Sequence, residues 1–245
     1  MNIDVAVTTV ESELRALADP VRSEGEKRYL KSDFVHIGGG LPAIRGVATA
    51  ALRESNPDRT SMLAFTKALW TASDNGTPIH DMRMVAIEVL IHARGLLRPE
   101  DLAFAERLIR DSKSWAYVDA LAVKVVGDLV LRYPDLAAEL DRYVHDDNFW
   151  IRRTALLALL PGIRADDGDL VRLSGYGDLL IGEREFFIRK ALGWVLRELS
   201  KRDPGWVTTW VTPRISRISG VTLREAVRHL PVATRDDLLA SYKSR

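Results

Sequence analysis

The sequence predicts an all-α fold of stacked helix pairs. Apolar residues recur at helical spacing along most of the chain, strand-like alternation is missing, and short blocks return every 34 to 37 residues. Along the chain, the first strong helical stretch is Met84-Val85-Ile87-Glu88-Val89-Leu90-Ile91. Leu121-Val125-Leu129-Val130 and Ile188-Ala191-Leu192-Val195-Leu196-Leu199 repeat the pattern at three- and four-residue steps. Proline in Pro99-Glu100-Asp101, Pro134-Asp135 and Asp203-Pro204 marks helix starts, since a first-turn residue needs no N–H partner. Asn148 and Thr222 are expected to cap the helices that open at Phe149 and Leu223. Ile37–Pro42, Ser73–Pro78 and Arg164–Gly177 are the least regular stretches and are expected to be loops rather than linkers.

The blocks Phe149-Trp150-Ile151-Arg152-Arg153 and Phe186-Phe187-Ile188-Arg189-Lys190 match in kind at every position, with weaker copies at Met82–Ala86 and Thr222–Ala226. Units of this length suit a HEAT-like helical-repeat solenoid with one helix of each pair lining a concave, basic face. Residues 1–245 are expected to form a single domain of this kind.

Within that register one residue is out of pattern. Trp115, Trp150 and Phe187 align at spacings of 35 and 37, which sets Asp119 opposite Thr154, Ala191 and Ala226. The sister residues are small, so the fold does not call for a carboxylate there. Its structural explanations are an ion pair with an arginine such as Arg153, or a helix cap. Its functional explanation is stabilisation of a cation or orientation of a water. Trp115 has aromatic sisters, so packing alone could account for it. Trp194 has Leu157, Ala122 and His229 as sisters, so the architecture does not require its indole, although a core role stays open.

Composition narrows the classes further. With 47% hydrophobic and 28% charged residues the chain resembles a soluble globular protein, and no apolar run is long enough to span a bilayer. The start Met1-Asn2-Ile3-Asp4 lacks a signal-peptide pattern, and a cytoplasmic protein, nucleoid-associated when bound to DNA, is expected. Absence of cysteine excludes disulfides, thiolate metal sites and cysteine nucleophiles. The five histidines have no paired metal-ligand spacing, and no phosphate-binding glycine motif is present, so no metal or cofactor is expected. The net charge of +1 hides an uneven distribution. From Arg184 onward 13 basic residues face 6 acidic ones, whereas residues 1–183 carry a balance of −6. Arg152, Arg153, Arg189, Lys190, Arg197, Arg224 and Arg228 recur at equivalent positions and predict a basic stripe suited to a nucleic-acid backbone. The alternative is a solvated face laced with pairs such as Arg197 with Glu198 or Glu185.

Lys113–Asp119, Asn148–Arg153 and Phe186–Glu198, with a softer match at Arg28-Tyr29-Leu30-Lys31, resemble the AlkD-like alkylpurine DNA glycosylases, a HEAT-repeat DNA alkylation repair family. The resemblance runs from about Arg28 to Leu230. It implies a monofunctional glycosylase, acting as a monomer without cofactor on double-stranded DNA that carries cationic N3- or N7-alkylated purines. By position it makes Asp119 the catalytic carboxylate and Trp115 and Trp194 the aromatics beside the modified nucleotide. Arg153 and Arg197 would hold the backbone, joined by Tyr29, Arg152, Arg189 and Lys190. A non-catalytic DNA-binding paralogue and a HEAT protein-interaction module are the competing expectations. The chain departs from the family in Ala116-Tyr117-Val118 and in the glycine-rich Ile37–Arg45, which are expected to alter the lesion pocket.

Overall fold

Polar caps set most helix starts in the computed structural model, which describes residues 1–245. In chain order the helices are α1 (Ile3–Ala16), α2 (Pro20–Leu30), α3 (Gly40–Ser55), α4 (Arg59–Thr71), α5 (His80–His92), α6 (Leu102–Arg110), α7 (Trp115–Leu121) and α8 (Gly127–Arg132). There follow α9 (Ala137–Tyr143), α10 (Phe149–Leu157), α11 (Leu160–Arg164), α12 (Leu170–Leu180), α13 (Phe186–Ser200), α14 (Pro204–Val211), α15 (Gly220–Ala226) and α16 (Val232–Lys243). The all-α class therefore holds. No helix is long and apolar enough to cross a membrane.

Asn148 caps α10 as expected, accepting from the Trp150 N–H at 2.8 Å. Four local expectations are corrected. Ile37–Pro42 is loop only as far as Gly39, because α3 starts at Gly40. Ser219, not Thr222, caps the helix near residue 222; Thr222 lies inside α15 and its hydroxyl donates to the Arg189 carbonyl at 3.0 Å. Arg164–Gly177 is not all loop, because Asp169 caps α12, and the glycine that weakened the helical pattern, Gly177, lies where a Cβ would collide with the Trp210 indole. Ser73–Pro78 forms a two-residue antiparallel ladder, β1 (Ser73–Asp74) with β2 (Thr77–Pro78). Asn75 at φ 49° and Gly76 at φ 79° make its turn, the left-handed pair that an Asn-Gly hairpin needs.

The chain divides into two compact units, residues 1–101 with 112–121, and 102–111 with 122–245. In the first, α5 packs against α3, α4 and α7 and is buried on every side except at Met84 and at its last residue, His92. Its sequence looks amphipathic only because it carries His80, Asp81, Arg83 and Glu88, and each of these is buried too. Buried charge needs partners. The Arg83 guanidinium lies 4.8 Å from the Phe34 ring and 4.5 Å from the Trp70 ring. Glu88 accepts from Arg45 Nε at 3.2 Å. Asp81, wholly buried, accepts from the backbone N–H of Ile37, Gly38 and Gly39 at 2.7, 3.2 and 3.0 Å. The glycines serve this clamp: Gly38 has φ 87°, and a Cβ there would run into the Asp19 carbonyl. Burial and its His36 neighbour push the His80 imidazole down to about 4, so it is neutral at physiological pH.

In the second unit the core comes from Ile109, Leu129, Leu140, Ile151, Leu156, Ile188, Leu192, Val195, Leu196 and Leu223, all buried. Each such side chain contributes roughly 1.5–3 kcal/mol through removal from water. Cross-helix polar links here recur with the repeat. Arg142 binds Glu106, Arg110 binds Asp146, Arg202 binds Asp166 and Arg214 binds Asp178, each pair 36 residues apart, and the Tyr176 hydroxyl donates to Asp141 over 35. Corresponding links in the first unit are longer: Arg45 to Glu88 spans 43 residues and Arg59 to Asp101 spans 42. The hairpin before α5 lies within both spans and lengthens them.

These links set an acid limb. Hydrogen bonds from Arg172, Arg110 and Arg214 hold the carboxyls of Asp141, Asp146 and Asp178 below their ordinary value of 3.8. Burial alone would raise Glu106, but donors on Arg142, Arg110 and Tyr143 outweigh it and hold it below 4.5. A carboxyl depressed in the folded state contributes stability above its unfolded value and loses it as pH falls through the folded one. Thermal melts should therefore lose this contribution only below about pH 4. Asp178→Asn should lower Tm at neutral pH and flatten the fall in acid; an unchanged acid limb would detach that pair from it.

Candidate functional site

Trp115 and Asp119 occupy one side of α7. Ser114 starts the helix, accepting from the Ala116 N–H at 3.3 Å, and Tyr117, Val118 and Leu121 turn into the core. Trp115 and Asp119, four residues apart and so on one face, stay half-buried. Tyr29 meets the Trp115 ring edge-on at 5.9 Å and 87°, and is itself 73% exposed. It projects from α2, a helix without a single buried residue, flanked by Lys27, Arg28 and Lys31. An exposed aromatic among cations, beside a half-buried indole and a carboxylate, can meet a nucleotide's sugar and phosphates.

The chain after Asp119 makes a π turn over Ala122–Val126 before α8. Such a wide turn re-aims the helix face and is often found beside functional residues. Nothing in the apolar spacing signals it. The departure at Tyr117 is resolved inward rather than toward a pocket. Its hydroxyl lies 2.6 Å from His80 Nδ1 and its ring packs on Phe34 and Trp70, so Tyr117 and Val118 do not line a lesion pocket. Burial raises the Tyr117 hydroxyl well above its ordinary value.

In the second unit α13 buries Ile188, Ala191, Leu192, Val195, Leu196 and Leu199. Lys190, Trp194 and Arg197 follow one another at four and three residues on its less buried side. Glu225 of α15 binds both cations, Lys190 Nζ at 2.6 Å and the Arg197 guanidinium. Burial would raise the Glu225 carboxyl, but Lys190, Arg197 and Arg228 hold it below its ordinary value. Gly193 makes this possible, because a Cβ there would sit 2.7 Å from the Glu225 Cβ. Glu225 was not singled out from sequence, although it stands 35 residues after Lys190. Arg197 is thus ion-paired, as the alternative to a basic stripe has it, but with Glu225 rather than with Glu198 or Glu185.

The other basic residues face structure. Arg152 donates to the Asp146 and Asp147 carbonyls at 2.7 and 2.9 Å and lies 2.8 Å from Glu183. Arg189 repeats the device, donating to the Glu183 carbonyl at 2.7 Å, six residues back in both cases. Arg153 is only 4% exposed, donates to the Phe187 carbonyl and lies over the Phe187 ring. Trp150 and Phe187 pack at 4.9 Å between ring centres, Trp150 buried and Phe187 half-buried, which accounts for the aromatic sisters of Trp115 by packing. The predicted stripe thus separates into helix-start clasps (Arg152, Arg153, Arg189) and a more open group (Lys190, Arg197, with exposed Arg224 and Arg228).

Comparison with known proteins follows the same outline. The family model described as "DNA alkylation repair enzyme" matches residues 10–230. A solved structure titled as a predicted DNA alkylation repair enzyme from Enterococcus faecalis is 24% identical, with a TM-score of 0.77 over 88% of this chain and 97% of that one. The crystal structure of smu.31 from Streptococcus mutans UA159 is 17% identical, with a TM-score of 0.56 over 78% and 92%. At these identities the two structures show a shared fold. No curated protein matches the chain.

Proposed function

This chain belongs to the DNA alkylation repair enzyme family, and from that premise we propose that it is a monofunctional DNA glycosylase for cationic N3- and N7-alkylated purines in duplex DNA, built as one HEAT-like helical-repeat domain. The observation that carries this is the pairing of Trp115 and Asp119 on the less buried face of α7, with the exposed Tyr29 against the indole.

Alkylation at N3 or N7 leaves the purine positively charged and already a good leaving group, so no strong general acid is required. Cationic character then grows on the deoxyribose as the glycosidic bond breaks. The Asp119 carboxylate and the indole face of Trp115 supply negative potential to that charge; for Trp194 the same role is what the family resemblance implies. Asp119 also orients the water that adds to the sugar. Hydrolysis by water leaves an abasic site. Lys190, Arg197 and Tyr29 make the backbone contacts, while Arg152, Arg153 and Arg189 keep the starts of α10 and α13 in place.

The test is release of 7-methylguanine or 3-methyladenine from alkylated duplex DNA, alongside a bulky N7 adduct. Free base and an abasic strand are expected. Salt-sensitive duplex binding without release of any of them would favour the non-catalytic DNA-binding paralogue, and absence of duplex binding a protein-interaction module. Arg197→Ala should weaken duplex binding and flatten the plot of log affinity against log salt by about one phosphate contact, a slope change of about 0.9. An unchanged slope would take Arg197 out of the DNA interface.

A further inference from the structure

Two buried histidines and a glutamate meet in the first unit, apart from the residues assigned to DNA. Glu26 lies on α2, His36 in the segment that follows, and His80 opens α5. One imidazole nitrogen from each histidine and one Glu26 carboxylate oxygen all lie within 4.8 Å of one another. The two rings stack at 4.2 Å between centres with planes 12° apart. The His36 side chain is fully buried, and neither of its ring nitrogens has a hydrogen-bond partner. Its Nδ1 faces Glu26 Oε2 across 3.9 Å. Buried polar atoms are normally satisfied, so two orphaned nitrogens on one ring point to a missing partner.

We propose that Glu26, His36 and His80 bind a divalent transition-metal ion, zinc being the best fit. Two imidazole nitrogens and one carboxylate oxygen are a complete three-ligand set for zinc, with a fourth position left for water. The half-buried Glu26 gives that position a route to solvent. His80 is already held as a metal ligand is held: Tyr117 Oη at 2.6 Å engages Nδ1 and leaves Nε2 for the ion. Burial favours the neutral imidazoles that coordinate. The charge also suits a cation, because Glu26 and the neighbouring Asp81 put two carboxylates beside the rings. Ligands each 2.0–2.1 Å from one ion stand roughly 3.3 Å apart. Binding therefore draws the three groups together, tilts the rings out of their stack and fastens α2 to α5.

The experiment uses the full-length protein, stripped with chelator and titrated with Zn²⁺ alone by calorimetry, with melts in parallel. Co²⁺ serves as a spectroscopic probe. Wild type should bind one ion per chain, gain Tm, and show the visible Co²⁺ bands of a low-coordinate nitrogen–oxygen site. Glu26→Gln, on a helix with no buried residues and hence expected to fold, should bind about 10–100-fold more weakly or worse. His36→Gln should lose both the Co²⁺ bands and the Zn²⁺-dependent rise in Tm. No binding by wild type overturns the proposal. Equal binding by wild type and Glu26→Gln also overturns it, as an adventitious ion only, on exposed His92, His145 or His229. Neither readout depends on glycosylase activity.

Discussion

Asp119→Asn is expected to lower the rate of alkylpurine release by about 100- to 1,000-fold, the usual loss when one preorganised electrostatic contact to a transition state is removed. The substitution keeps shape and removes charge. Asp119 is half-buried on a seven-residue helix whose core contacts come from Tyr117, Val118 and Leu121, and asparagine keeps an acceptor oxygen there, so the variant should fold and duplex affinity should stay near wild type. A fall in the single-turnover rate at unchanged affinity would place the carboxylate in the transition state. Loss of affinity and rate together would make it a binding residue. Undiminished release would remove it from the chemistry.

Asp81→Ala should have the largest effect on stability, at least about 3 kcal/mol, because three backbone N–H groups lose their acceptor at once and each buried orphan costs about 1–3 kcal/mol. Gly38→Ala should destabilise through the other side of the same clamp, by forcing a side chain onto φ 87° against the Asp19 carbonyl. Chemical denaturation of both variants checks this. A loss below about 1 kcal/mol for Asp81→Ala would mean that water or another group replaces the carboxylate. The glycine-rich segment thus owes its composition to a buried acid rather than to an enlarged lesion pocket.

Much of the helical fold was legible because helices announce themselves locally. Pro99, Pro134, Asn148 and Asp203-Pro204 mark helix starts by rules that act within one turn. Repeat register also isolated Asp119 and Trp194 as residues that packing does not demand. Long-range pairing was less accessible. Asp81 and Gly38 are 43 residues apart, His36 and His80 are 44 apart, and no local pattern says that they meet. The π turn after Leu121 is invisible for another reason: with Lys124 the one polar residue of Ala122–Val126, apolar residues on both sides of it fit any helical pitch. The basic residues recur in sequence as a series, yet Arg152 and Arg189 turn inward because carbonyls six residues back compete with solvent for their guanidinium groups.

The 36-residue links of residues 102–245 also limit how this part of the chain can change length. Each acid binds an arginine 36 residues away, so a residue inserted between the two partners must be absorbed in a surface turn or it shifts one of them out of reach. Adding or removing 36 residues as a block keeps the spacing of the pairs on either side. The quantum of tolerated growth or loss in this half of the chain is therefore one block of 36 residues, and single-residue variation belongs in turns that hold none of the paired residues.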